Sequence, residues 1–123
     1  MASNANSELR VVTAAKNLCS YVLTATNKSP KSFRFTLVSR LQNLSLDIIE
    51  NIYKANEVFV QSKDTQSMLK RLDLQHSALT SVKILAYISL LAREQGCILP
   101  KQYAQAHDCQ YLLGAWIKSG AAR

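Results

Sequence analysis

Apolar residues recur along this 123-residue chain at intervals of three and four, the period of an α-helix buried on one side. The pattern is cleanest in the second quarter. Leu37, Leu41, Leu44, Ile48, Ile52 and Phe59 form one stripe, widened by Val38, Ser45 and Ile49, while Asp47, Glu50, Lys54 and Glu57 fall opposite. This spacing predicts a helix from about Ser32 to Gln61. Upstream, Leu9, Val12, Leu18 or Cys19, Val22 and Thr26 mark a first helix running to about Thr26. Ser7 is its candidate cap, with Glu8 well placed against the helix dipole. Asn27-Lys28-Ser29-Pro30 should end it, because Pro30 pushes Ser29 out of helical geometry.

Downstream, Ser62-Lys63-Asp64 reads as a short turn, with Asp64 the candidate N-cap of a third helix. That helix carries Met68, Leu72, Leu79, Val82, Ala86, Ser89 and Leu90 or Arg93, and stops at Gly96. Cys97-Ile98-Leu99 should be extended ahead of Pro100. A fourth segment shows Tyr103, Ala106, Gln110, Leu113 and Ile117 on one stripe, Cys109 and Trp116 beside it, and Gly120 at its close. Residues 1–6 and 120–123 are expected to be flexible tails. Four amphipathic segments joined by short connectors predict an all-α fold: an antiparallel up-down-up-down four-helix bundle, one domain spanning 1–123.

Composition supports helices, since 3 Gly and 2 Pro are too few for the turns of a many-stranded fold. No apolar run approaches the roughly 18 residues that span a bilayer, so no membrane role is expected. The start, MASNANSELR, lacks a basic stretch followed by an apolar one, which predicts a cytoplasmic protein. Cys19, Cys97 and Cys109 are odd in number, widely spaced and without a C-x-x-C pair, which predicts buried, reduced thiols.

The charge changes the picture more. The formal net charge is +7, and between Leu9 and Leu46 there are six basic residues and no acid. From Asp47 onward the charges nearly balance. Arg10, Lys16, Lys28, Lys31, Arg34 and Arg40 therefore form a basic first third that suits a polyanion, above all nucleic acid. Lys28, Lys31 and Arg34 cluster where the second helix begins, although the macrodipole disfavours cations there. Beside free backbone N–H groups they would make a phosphate-binding patch; a solvated turn is the alternative. Phe33 and Phe35, interleaved with them, read as hydrophobic plugs for the bundle end rather than base-stacking platforms.

Signals for catalysis are missing. Glycines stand only at 96, 114 and 120, too few for a phosphate-cradling loop, and His76 and His107 lie far apart. His107 and Cys109 diverge by about 200° on a helix, so they make a poor metal pair. His76 reads as solvated. Asp47 and Glu50 share a face opposite the apolar stripe. No catalytic residue, metal ligand or cofactor is assigned. Gly114, inside a helix, costs about 1 kcal/mol relative to Ala and points to a close approach. Gly114, Ala115, Trp116 and Ile117 are the candidate helix-packing or subunit contact.

The run KQYAQAHDCQYLLGAWIKS, residues 101–119, resembles the closing helix of the Avd-like four-helix-bundle family, with its Leu-Gly-Gly-Trp-(Ile/Leu)-Lys-Ser pattern. SPKSFRFTL, residues 29–37, resembles that family's Pro-Lys lead-in to its second helix. The matching positions are Pro30, Lys31, Arg34, Leu113, Gly114, Trp116 and Lys118. Ala115 replaces the second glycine, and Gln110-Tyr111 stands where Gly-Arg is common, which removes one basic position from helix four. Avd is the accessory variability determinant of diversity-generating retroelements, and its relatives are encoded in intervening sequences of 23S ribosomal RNA genes. The resemblance implies a homopentamer of four-helix protomers with a basic surface. It also implies association with a reverse transcriptase and with RNA or cDNA during mutagenic copying. The alternative is an assembly module of the intervening-sequence type with no nucleic-acid role. A metal- or cofactor-dependent bundle enzyme is set aside, because no inward-facing ligand set is visible.

Overall fold

A computed structural model of the chain describes residues 2–58 and 65–98, with Ala115 and Ile117, and side chains from Arg10 onward. The described residues are all-helical and contain no strand. Helix α1 covers Ala2–Asn27. It therefore starts five residues ahead of the expected cap at Ser7, which lies inside the helix. Ala2 and Ala5 favour helix, and nothing before Pro30 is a Gly or Pro that would stop it. Val11, Ala15, Leu18, Cys19, Val22 and Thr26 form its buried face. The Thr26 hydroxyl donates to Val22 O at 2.7 Å inside the last turn.

Pro30 then takes an extended conformation, φ −57° and ψ 144°, and the chain re-enters helix at once. A 3₁₀ turn over Lys31–Phe33 runs into a π-helical turn over Arg34–Val38, and α2 follows at Ser39–Glu57. Helical backbone thus begins near Ser32 as expected, but its first two turns are not α. The helix ends at Glu57 rather than Gln61: Val58 is extended at φ −71° and ψ 115°, with its N–H on Ala55 O at 3.2 Å. Val58 opens a Val-Phe-Val run of side chains that lose rotamer freedom in a helix. The buried face of α2 is Leu41, Leu44, Ser45, Ile48, Ile52 and Ala55, close to the stripe read from the sequence.

Helix α3 spans Thr65–Glu94. It closes with Gly96 at φ +79°, the Gly96 N–H on Arg93 O at 3.1 Å and the Cys97 N–H on Ala92 O at 2.8 Å. This pair of bonds is a Schellman cap, and it turns Cys97 back onto the core beside Ala92. The buried face of α3 is Gln75, Ala78, Val82, Leu85, Ser89 and Ala92, a strict alternation of three- and four-residue steps. The expected stripe shares only Val82 and Ser89 with it. Met68, Leu72, Leu79, Ala86, Leu90 and Arg93 lie half-buried along its flank. Because α3 is apolar on more than one side, the direction of its core face is poorly marked in the sequence.

Helix α2 packs against both α1 and α3, and one core joins all three. Polar braces tie α1 to α2. Gln42 Nε2 donates to Thr26 Oγ1 at 2.9 Å, and Ser45 Oγ to Cys19 Sγ at 3.4 Å. The turn ahead of α2 is held to the far end of α3 by Ser29 Oγ donating to Cys97 O at 2.7 Å. Cys19 and Cys97 are buried free thiols, as expected. The turn at 62–64 with its Asp64 cap, Phe59, Cys109 and most of the fourth segment lie outside the described residues. In that segment Ala115 and Ile117 are both helical; Ile117 joins the core and Ala115 is exposed. No helix among the described residues is long and apolar enough to cross a membrane.

Gln75 is the anomaly of the core. It is 1% exposed, and neither its amide N nor its amide O has a hydrogen-bond partner among the described residues. An unsatisfied buried amide costs about 1–3 kcal/mol, so Gln75→Leu should raise the unfolding free energy by roughly that amount in a urea titration. Gly96 tests the cap. An added Cβ would meet nothing within 4 Å, yet the positive φ strains any L-residue. Gly96→Ala should lower stability by about 1 kcal/mol through backbone conformation alone.

Candidate nucleic-acid interface

All six candidate cations are exposed, but the structure does not bring them together equally. Lys28, Lys31 and Arg34 sit on the connector and the irregular turns after it, and Arg40 lies in the first turn of α2. Lys16 precedes Lys28 by twelve residues of α1, and Arg10 by eighteen. At 1.5 Å per residue they lie about 18 and 27 Å further along the helix axis. Lys31, Arg34 and Arg40 form one cluster along two adjoining grooves; Lys28 lines neither groove, and Arg10 and Lys16 extend along α1.

Phe35 stands at the centre of that cluster. It is 87% exposed, which overturns the expectation that it plugs the bundle end. Phe33 does pack against the core, as expected. The π-helical turn is the reason for the split. Ser39 donates its N–H to Arg34 O, five residues back, so the helix spends an extra residue between Phe33 and Leu41. Phe33, Val38 and Leu41 then face inward while Phe35 turns out.

Two grooves meet at Phe35. One, of about 430 Å³, is lined by Thr26, Ser29, Lys31, Arg34 and Gln42 among others. The second, of about 450 Å³, is lined by Ser39, Arg40 and Asn43, with Ile88 and Leu91 from α3. No acid lines either groove among the described residues. Cations, an open aromatic ring and side-chain amides thus alternate across the end of the bundle. A single strand could stack a base on Phe35 while its phosphates meet Lys31 and Arg34 on one side and Arg40 on the other.

The start of α2 is less of a phosphate cradle than expected. Pro30 has no N–H, the Phe33 N–H is held by Pro30 O at 3.0 Å, and the Arg34 N–H by Lys31 O. The 3₁₀ turn consumes donors that an α-helical start would leave free. An anion at this end would meet side chains rather than a row of free backbone N–H groups. Sequence reading also missed Gln42, Ser39 and Asn43 as groove residues. Ser39 and Asn43 are one turn apart and linked at 3.4 Å, a spacing visible in the sequence, but nothing local showed which side of α2 they share with Phe35.

His76 is exposed, and among the described residues no three His, Cys, Asp or Glu side chains come together as a metal site would need. Of the four-residue contact in the fourth segment, Gly114 and Trp116 lie outside the described residues. Ile117 is 9% exposed, within the shared core. No family model, curated protein or solved structure matches the chain.

An outward Phe35 contributes little to the fold. Phe35→Ala should leave the thermal midpoint within the change that about 0.5 kcal/mol produces, whereas Phe33→Ala should lower it clearly. Differential scanning calorimetry of the two variants separates an inward from an outward ring.

Proposed function

We propose that the chain is a non-enzymatic accessory protein that binds single-stranded RNA or cDNA through the basic surface around Phe35. The observation that carries this reading is the 87%-exposed Phe35 flanked by Lys31, Arg34 and Arg40. An aromatic ring left in water gains nothing for folding, and among cations it suits a base. In this reading Lys28, Arg10 and Lys16 extend the phosphate track onto α1.

The resemblance to the Avd-like family supplies the setting: a cytoplasmic protein serving the reverse transcriptase of a diversity-generating retroelement. Residues 100–119 would form the fourth helix of an antiparallel bundle, with Ile117 in the core supporting that placement. Gly114, Ala115 and Trp116 would provide a close helix or subunit contact, and the family's ring of five is the assembly the resemblance implies. One observation favours the second reading, an assembly module without nucleic acid: Tyr87 and Leu91 are also exposed.

Filter binding of labelled single-stranded RNA and DNA across a salt series tests the proposal. Affinity should fall steeply with salt. Replacing Lys31, Arg34 and Arg40 by Gln should flatten the log–log slope by about 2, at roughly 0.7 for each phosphate no longer neutralised. Phe35→Ala should weaken binding by about 1–3 kcal/mol with the slope unchanged. Absence of binding at low salt, or unaltered affinity in both variants, overturns the site.

A further inference from the structure

Helix α3 has a second face. Thr80, Ile84, Tyr87 and Leu91 repeat the steps of four, three and four residues seen in its core seam, displaced by two positions. Two residues are about 200° of helix rotation, so this seam lies opposite Ala78, Val82, Leu85 and Ser89. It is open to solvent: Ile84, Tyr87 and Leu91 are 41%, 76% and 45% exposed. With Lys83, Ile88 and Glu94 they line an apolar groove of about 570 Å³, whose described lining residues all belong to α3.

We propose that this groove is a two-fold contact with the same face of a second copy of the chain, the two α3 helices running antiparallel. The charges select this occupant and this direction. Lys83 lies toward one end of the groove and Glu94 at the other, eleven residues or about 16 Å apart. A two-fold axis beside Tyr87 and Ile88 sets Ile84 opposite the partner's Leu91 and brings Lys83 to the partner's Glu94. Parallel pairing would instead set lysine against lysine and glutamate against glutamate, with the helix dipoles aligned. The three open side chains expose on the order of 400 Å² per copy, about half the footprint of a standard interface. Thr80, Lys83 and Glu94 must contribute the rest, and the contact is a weak, micromolar one. It is separate from any ring: it joins two protomers, or two rings face to face.

Sedimentation velocity on the full chain between about 1 and 100 µM tests this. The expected species at high concentration holds an even number of chains, and Tyr87→Glu halves its mass while leaving the far-ultraviolet dichroism unchanged. Lys83→Glu and Glu94→Lys should each weaken association about fivefold, and the double swap should restore it. A monomer or an odd-numbered assembly at the highest concentration overturns the proposal, as it would if the fourth segment or a foreign protein covered the groove. An unchanged mass in Tyr87→Glu also overturns it. A double swap no better than the single ones overturns the antiparallel pairing.

Discussion

The single apolar seam of α2 is the constraint from which the rest of the structure follows. Leu41, Leu44, Ile48, Ile52 and Ala55 are buried because α1 lies on one side of the seam and α3 on the other. Small residues on the two facing helices, Ala55 on α2 and Ala78 and Ala92 on α3, are fully buried. The polar groups at the margins are satisfied without breaking the seam. Thr26 bonds within its own helix and receives Gln42, while Ser45 bonds back to Gln42 O at 2.8 Å. The amide of Gln75, at one end of the facing seam, and Asn56 Oδ1 on α2 find no hydrogen-bond partner among the described residues, and a buried amide of this kind restricts register at a cost in stability.

Once α2 is fixed, the irregular turns ahead of it decide what the bundle shows at that end. The chain must leave α1, pass Pro30 and re-enter helix with Phe33 already inward, and the π-helical turn absorbs the mismatch. Its consequence is chemical. One aromatic ring seals the core while the other, two residues later, stands in water among cations. The Ser29–Cys97 bond couples this end to the Schellman cap of α3, so the surface around Phe35 is built on a braced connector rather than a free loop. Such bracing suits a surface that must present charge and ring in a constant arrangement.

Helix α3 works differently from α2. It divides its apolar residues between two opposite seams and has little net amphipathicity. A helix of this kind normally lies between two partners. In this chain one partner is the α2-centred core, and the other is the opening that the groove at Tyr87 presents. Phe35 and the α3 groove adjoin: Leu91 lines both the groove and the channel beside Arg40. Assembly through α3 and binding at Phe35 would therefore occupy neighbouring surfaces.

The residues by themselves determined the helical class, the buried stripe of α2, the break at Pro30, the stop at Gly96 and the basic first third. Each of these depends on short-range physics: side-chain period, proline sterics, a left-handed glycine or summed charge. The core direction of α3 was not legible, because two seams 200° apart leave a local pattern with no preferred side. The outward turn of Phe35 was not legible either. An extra residue in one turn rotates everything before it, and that residue is accommodated only because Val38 and Leu41 are already held by the core. The same tertiary constraint separated Lys31, Arg34 and Arg40 from Arg10 and Lys16. Charge can be counted along a chain, but its convergence around one ring is set by where packing sends the helices.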